Sequence, residues 1–203
     1  MTSQEQAEKV WTPTAAQVRD ATLTAYTQWL ERTRGLRFAD YQALWEWSTT
    51  EIEAYWESMW QYLDIRSRTP YSTVLVERRM PGAQWFPGAS LNYVDQVMRH
   101  ATTERPAIVF RNESGHHEEV SWAELERRVA ALADSLRRLG VKPGDRVVAY
   151  LPNIPETVVA FLATASVGAI WSVCSPDMGT VSVLDRFRQI EPTVLIACDG
   201  YRY

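Results

Sequence analysis

The second half of the chain alternates between strand patterns and helix patterns, and this alternation restricts the fold more than any other feature. Short apolar runs occupy residues 146–151, 169–174 and 193–198, and longer segments with helical spacing of apolar residues separate them. Parallel strands need a crossover of a dozen or more residues between them, which helices of this length supply. The pattern therefore predicts an α/β fold with a parallel sheet.

A hairpin and a long helix are predicted ahead of these strands. Residues 107–111 and 118–120 flank a turn that contains Gly115, as in an antiparallel hairpin. Ser121 and Glu124 have the spacing of a capping box, which indicates that a helix begins there and runs to Gly140.

Tryptophan is concentrated at the other end of the chain, where six of the nine tryptophans lie within the first 60 residues. Periodicity predicts a helix over residues 14–33 with Gly35 as its cap, and a second helix from near Asp40. A capping-box pattern over residues 48–51 predicts the start of a third helix. A short strand is expected near residues 74–77, and Ser90 is expected to cap a further helix.

The third helix carries one broad apolar face. Its members are Ile52, Tyr55, Trp56, Met59, Trp60 and Leu63. Two interpretations remain open, since such a stripe either packs against the rest of the protein or forms an exposed surface for a partner.

Composition and charge exclude several classes of protein. The net charge is −4 and the basic residues are scattered, so nucleic acid is not an expected partner. The polar N-terminus is unlike a signal peptide, and the apolar segment over residues 157–174 is interrupted, so no membrane association is expected. Cys174 and Cys198 lie in apolar runs and are predicted to be buried thiols of a cytoplasmic protein.

Four short elements of the second half occur in a recognisable order. They are VSWAEL (residues 120–125), GVKPGDRVVA (140–149), PNIPE (152–156) and ASVGA (165–169). In this order they resemble the opening of the adenylate-forming superfamily, which includes acyl-CoA synthetases, peptide-synthetase adenylation domains and firefly luciferase.

Three longer stretches resemble one branch of that superfamily, the acetoacetyl-CoA synthetases. They are WFPGASLNY (residues 85–93), GAIWSVCSPDMG (168–179) and VLDRFRQIEP (183–192). The resemblance covers residues 15 to 203. It implies the Trp-rich helical extension of acyl-CoA synthetases over 13–103 and the start of an AMP-binding domain over 104–203. The polar residues 1–12 that precede them are expected to be a disordered tail.

The resemblance also implies a reaction, in which acetoacetate, ATP and CoA become acetoacetyl-CoA, AMP and diphosphate through an acyl-adenylate, with Mg²⁺ as the metal. The superfamily's Gly-rich phosphate loop ends in Gly-x-Pro-Lys, and no such segment occurs here. The two lysines, Lys9 and Lys142, lie in other contexts. We therefore expect the N-terminal portion of a ligase, without catalytic residues or a metal site and inactive alone, whose partners are these small molecules and the rest of the parent chain.

Four residues match positions that line the CoA nucleotide site in acetyl-CoA relatives: Ser175, Pro176, Asp177 and Arg202. Ser175 stands where those relatives carry a Phe against the adenine, and Arg202 has the charge to pair with a 3′-phosphate. The alternative is that residues 175–179 only connect a strand to a helix and that Arg202 is a solvated residue.

Other interpretations stay open at this point. The run His116, His117, Glu118 and Glu119 contains metal-ligand types, but neighbours on a strand point to opposite faces, which favours a water-exposed hairpin. The ligase could act on another short acid, such as acetate, propionate or butyrate. The chain could also be a non-catalytic assembly module that uses its Trp-rich helices as an interface.

Overall fold

The computed structural model describes residues 10–200, which contain eight helices and five strands. The helices are α1 Ala15–Arg19, α2 Thr22–Arg34, α3 Tyr41–Thr50, α4 Ile52–Tyr62, α5 Tyr93–Met98, α6 Trp122–Arg138, α7 Pro155–Val167 and α8 Thr180–Ile190. The strands are β1 Ile108–Arg111, β2 His117–Val120, β3 Arg146–Tyr150, β4 Ile170–Cys174 and β5 Val194–Ala197.

The described residues form two compact units. Unit 1 contains the residues up to Ile65 together with Thr69–Ala89, and unit 2 contains Arg66–Arg68 and the residues from Ser90 onward. The domain limits expected from the sequence stay predictions, and most of the expected tail over residues 1–12 lies outside the described residues.

The first predicted helix is two helices in the structure. Thr14 caps α1 through a capping box with Gln17, and Asp20 ends this helix after five residues. Ala21 then adopts an extended conformation before α2 begins, and the Thr24 hydroxyl donates to the carbonyl of Val18 across the break. Periodicity alone does not detect the break, since apolar residues keep their spacing on both sides of it.

The predicted start of the third helix is wrong, because residues 48–51 end α3 instead of opening α4. The hydroxyls of Ser48 and Thr49 donate to the carbonyl of Trp45, and the Thr50 hydroxyl donates to that of Glu46. Helix α4 begins at Ile52 without a side-chain cap. Ser and Thr can bond back to the preceding turn as well as cap a following one, so the pattern was ambiguous.

A buried polar pair lies in the core of unit 1. The Ser58 hydroxyl donates to the carbonyl of Tyr55 at 2.6 Å, and the Tyr26 hydroxyl lies 2.6 Å from the Ser58 oxygen. Because the single Ser58 proton is already used, Tyr26 is the donor in this contact. Burial raises the pKa of Tyr26 above its ordinary value, which keeps the phenol protonated.

The apolar stripe of α4 packs within unit 1. Tyr55 and Met59 join a core around Tyr26, Leu30 and Leu44. Further along the stripe, the ring centroid of Trp56 lies 5.6 Å from that of Trp85, and that of Trp60 lies 4.6 Å from that of Phe86. The segment that contains Trp85 and Phe86 forms one isolated β-bridge, between Leu75 and Trp85. The strand expected at residues 74–77 is not present there.

Helix α5 is capped by Asn92 and not by the predicted Ser90. The Asn92 side-chain oxygen accepts from the N–H of Val94, and its amide nitrogen donates to the carbonyls of Ala165 and Ser166 in the last turn of α7. Ser90 instead donates its N–H to the Ser67 hydroxyl. The side-chain amide of Asn92 therefore caps the start of α5 and satisfies carbonyls at the end of α7.

The sheet of unit 2 confirms the predicted α/β fold. Strands β1 and β2 form the expected antiparallel hairpin, and three parallel strands follow in the order β4-β3-β5. Val147 of β3 packs with α6 and α7, whereas its neighbour Val148 packs with α8. Successive strand residues face opposite sides, so helices cover both faces of the sheet.

The two cysteines differ in burial. Cys174 ends β4 and is buried as predicted, but the prediction for Cys198 is wrong. Cys198 is only half-buried because it follows β5, an edge strand of the described sheet whose residues are all half-buried or exposed. Both thiols are free.

The Tyr26–Ser58 pair should contribute measurably to the stability of unit 1. Tyr26→Phe removes one hydrogen bond and should cost about 1 kcal/mol, whereas Ser58→Ala leaves a buried phenol unpaired and should cost about 2 kcal/mol. The double variant should be more stable than the sum of the two losses predicts, because the second substitution removes a group that has already lost its partner.

Urea unfolding followed by tryptophan fluorescence measures these losses, since seven of the nine tryptophans belong to unit 1. Tyr41→Phe, which removes an exposed hydroxyl, serves as the control and should leave stability unchanged. Strict additivity of the two core substitutions would contradict the proposed bond.

Gly140 and Gly168 offer a matched pair for testing helix ends. Both have positive φ, 88° and 82°, but a Cβ at Gly140 would meet open space, whereas one at Gly168 would lie 3.3 Å from the Cβ of Pro143. Gly140→Ala should cost about 1 kcal/mol from backbone strain. Gly168→Ala should cost roughly 1 kcal/mol more from overpacking. Equal losses in thermal or urea unfolding would show that the Pro143 contact is unimportant.

Candidate functional site at the carboxyl edge of the sheet

The carboxyl ends of the parallel strands lie along one edge of the sheet. Helix α7 follows β3 on one face of the sheet. Helix α8 follows β4 on the other face and leads past β3 to β5, so the strand order reverses between β3 and β5, which is the topological switch point. Ligands of open α/β sheets bind in the crevice outside the strands at such a point. The loop over residues 175–179, which we call the β4–α8 loop, follows the neighbouring strand β4 at the same edge.

Three of the four residues predicted to face a ligand lie in the β4–α8 loop. The side chains of Ser175 and Asp177 are exposed, and Pro176 is half-buried. The N–H of Met178 donates to the carbonyl of Ser175 at 3.0 Å, which makes the segment a turn. Arg202, the fourth, lies outside the described residues.

Tyr150, which the sequence reasoning missed, holds the β4–α8 loop to the sheet. It is the last residue of β3, and its hydroxyl lies 2.9 Å from the carbonyl oxygens of both Pro176 and Met178. A tyrosine at the end of a valine-rich strand, two residues before the PNIPE element, was the signal that could have found it.

The far end of α8 is held by the same strand. Arg146 donates from Nε to the carbonyl of Ile190 at 2.7 Å and from Nη2 to that of Glu191 at 2.8 Å. Arg146 and Tyr150 are four residues apart on β3 and therefore face the same side. Strand β3 thus holds α8 at both ends. The guanidinium of Arg146 binds the last carbonyls of α8, and the hydroxyl of Tyr150 binds the loop that precedes α8.

A concave feature opens at the same edge of the sheet, beside the switch point between β3 and β5. A cleft of about 860 Å³ lies between the turn of the hairpin and the segments that follow β3 and β5. Its lining residues are Phe110, Arg111, Asn112, Glu113, Ser114, Pro152, Asn153, Ile154, Cys198 and Gly200. No residue of the β4–α8 loop belongs to this lining, so the two features are separate.

The histidine pair at the hairpin is exposed, as the favoured interpretation predicts. His116 lies 3.9 Å from Glu118 and His117 lies 3.8 Å from Glu119, and both imidazoles are more than two-fifths exposed. Across residues 10–200, no group of three or more His, Cys, Asp or Glu side chains is arranged to hold a metal ion.

An ion-pair network joins α6 to the hairpin. The guanidiniums of Arg127 and Arg128 hydrogen-bond to Glu124 and hold the pKa of its carboxyl at about 2, well below its usual range. Arg128 also reaches Glu118 of β2 at 3.4 Å. Ser121 accepts from the N–H of Glu124, so the predicted N-cap is confirmed, although the Glu124 side chain pairs with arginines instead of closing a capping box.

Two family models match the chain in sequence. Residues 95–202, more than half of the chain, match the model described as AMP-binding enzyme. The chain belongs to the AMP-binding enzyme family. Residues 41–97 match the model described as acetyl-coenzyme A synthetase N-terminus. The two matches cover the Trp-rich helices α3 and α4 and almost the whole of the α/β half.

Individual members of the AMP-binding enzyme family align with nearly all of this chain. An acetoacetyl-coenzyme A synthetase of Rhizobium meliloti is 41% identical over 98% of the chain and 30% of its own length. A malonamoyl-CoA synthetase of Penicillium aethiopicum is 34% identical over 88% of the chain and 26% of its own length. The solved acetoacetyl-CoA synthetase of Streptomyces lividans is 49% identical, with a TM-score of 0.91 over 95% of the chain and 30% of its own length. The chain thus spans less than a third of the length of the relatives it matches.

No helix within the described residues is both long enough and apolar enough to span a membrane.

The Glu124 network predicts a pH-dependent contribution to stability. Because the folded pKa of Glu124 is lowered to about 2 from an ordinary value of 4.5, its ion pairs stabilise the fold above pH 4.5 and are lost as the pH falls from 4.5 toward 2. Glu124→Gln should therefore lower the thermal midpoint at pH 7, and the difference from wild type should shrink steadily below pH 4.5.

Glu126→Gln is the matched control, since this exposed carboxylate lies on the same helix and makes no ion pair within the described part of the chain. It should leave the midpoint nearly unchanged at pH 7. A loss for Glu124→Gln that stays constant between pH 7 and pH 3 would exclude the ion pairs as its cause.

Proposed function

We propose that this chain forms the N-terminal part of an ATP-dependent acid–CoA ligase whose acid substrate is acetoacetate. The observation that carries the proposal is the agreement of both sequence and fold, over almost the whole chain, with acetoacetyl-CoA synthetases. We further propose that the ligase acts in the cytoplasm, which the two free thiols support.

The reaction would proceed in two displacements. A carboxylate oxygen of the acid attacks the α-phosphorus of ATP and diphosphate leaves, which gives an acyl-adenylate. The sulfur of CoA then attacks the acyl carbon, the thiol proton is lost, and AMP leaves. Both steps place negative charge on phosphate oxygens, which cations and N–H donors must stabilise.

The described residues do not supply the groups that handle ATP and its metal. The sequence lacks a Gly-rich loop that ends in lysine, and the described residues contain no carboxylate cluster suited to Mg²⁺. We therefore assign no step of adenylation to this chain, and we propose that these 203 residues alone do not turn over substrate.

The role that we propose for this chain is to bind part of the CoA nucleotide. Ser175, Pro176 and Asp177 would face it from the carboxyl edge of the sheet, and Arg202 would pair with its 3′-phosphate. The Ser175 hydroxyl would replace the aromatic stacking of acetyl-CoA relatives with a polar contact, which fits the exposure of this side chain.

The relatives also suggest a class of acid. Acetoacetate and malonamate, the acids that correspond to the products named for the relatives, both carry a carbonyl group attached to the carbon next to the carboxylate. We propose that the ligase recognises this second carbonyl. A pocket that hydrogen-bonds a substrate oxygen discriminates strongly against analogues that lack this oxygen. A pocket that distinguishes acids by size alone discriminates far less.

The assembly-module alternative depends on exposed aromatic surface. Most rings of the α4 stripe contact other rings of unit 1, which leaves little exposed aromatic surface for a partner to bind. Trp56 and Trp85 remain 43% and 42% exposed. These contacts favour the ligase proposal.

Diphosphate release by the product of the complete reading frame that contains this chain tests the proposal. With ATP, Mg²⁺ and CoA present, kcat/KM for acetoacetate should exceed the values for acetate, propionate and butyrate by more than about tenfold. Malonamate should be the best of the alternatives, and the 203-residue chain alone should release no diphosphate. A preference for acetate, propionate or butyrate would reassign the acid, and no release with any acid would reject the ligase proposal.

A further inference from the structure

The hydrogen bonds of Tyr150 to the β4–α8 loop go to backbone oxygens. Its hydroxyl has one proton, which it shares between the carbonyls of Pro176 and Met178, each at 2.9 Å. These contacts do not depend on the identity of the side chains in the loop. Tyr150 therefore determines the path of the loop and leaves its side chains available.

The two contacts also fix the direction of neighbouring N–H groups. In a trans peptide the carbonyl and the following N–H point in opposite directions, and neither peptide is among the cis bonds of the described chain. With the carbonyls of Pro176 and Met178 turned toward the phenol, the N–H groups of Asp177 and Gly179 point away from it. Neither N–H donates to another group within residues 10–200.

We propose that Tyr150 is a positioning residue, whose hydroxyl holds the β4–α8 loop in the conformation that binds the CoA nucleotide beside the carboxyl ends of β3 and β4. The inference rests on the proposed function, since it concerns the loop assigned there to CoA. Tyr150 itself is half-buried beneath the loop and acts through Pro176 and Met178 without touching the ligand.

Removal of the hydroxyl would release the loop while the ring keeps its packing with Val148, Cys174 and Phe187. The loop would then need to be ordered each time the nucleotide binds, which weakens binding without altering the binding groups. The loss should therefore appear in the affinity for CoA and not in the adenylation step.

The first test uses the 203-residue chain without any ligand. In Tyr150→Phe, hydrogen exchange measured by NMR should accelerate about fivefold at the N–H of Met178, which donates to the carbonyl of Ser175 within the loop, and remain unchanged in β3 and β4. Exchange at wild-type rates in the loop would overturn the proposal.

The second test uses the product of the complete reading frame. Tyr150→Phe should raise the KM for CoA about five- to tenfold and leave the rate of ATP–diphosphate exchange with acetoacetate unchanged. Arg146→Gln is the control, because Arg146 holds the opposite end of α8 and should affect stability alone. An unchanged KM for CoA, a rise in the KM for ATP instead, or an equal rise in Arg146→Gln would overturn the positioning role.

The two proposals fail in different ways. If the wild-type protein shows no ATP–diphosphate exchange with any acid, the proposed ligase function is wrong, whatever Tyr150 does. If exchange and thioester formation are normal but Tyr150→Phe behaves as wild type toward CoA, only the positioning role is wrong.

Discussion

Burial of strand β3 between two layers of helices is the constraint on which unit 2 depends. Val147, Val148 and Ala149 are completely buried, and β3 is hydrogen-bonded along both edges, to β4 and to β5. Apolar side chains of successive residues enter opposite cores, so a shift of one residue would exchange the two faces. The register of the sheet, and with it the position of every loop at its carboxyl edge, follows from this strand.

The same strand connects packing with the candidate site. Its interior is aliphatic, but its first and last residues, Arg146 and Tyr150, reach beyond the sheet to the two ends of α8. A polar side chain at each end of an apolar strand can satisfy backbone carbonyls where regular hydrogen bonding stops. The strand thereby positions a helix that is separated from it in sequence by α7 and β4.

The sequence predicted the α/β half well because its signals are local. Strand β3 ends one residue before the predicted limit, and α6 ends two residues before Gly140, close to where the pattern placed its end. The errors occur where a side chain has two possible partners. Residues 48–51 and Ser90 have the composition of caps, but their actual partners are decided by contacts that no local pattern contains.

The candidate site was predictable only in part for the same reason. Family resemblance pointed to Ser175, Pro176 and Asp177, and the structure places all three in the loop between β4 and α8, where their role in binding stays a prediction. Tyr150 was missed because its partners lie 26 and 28 residues away and are backbone atoms, which have no signature in a sequence.

Deamidation of Asn92 would disturb the contact between α5 and α7. The Asn92 amide accepts from Val94 with its oxygen while it donates to Ala165 and Ser166 with its nitrogen, and an aspartate could perform only the first of these tasks. Spontaneous deamidation would keep the cap of α5 but place a carboxylate against two carbonyl oxygens at the end of α7. Loss of one nitrogen atom would thus turn a contact between two helices into a repulsion.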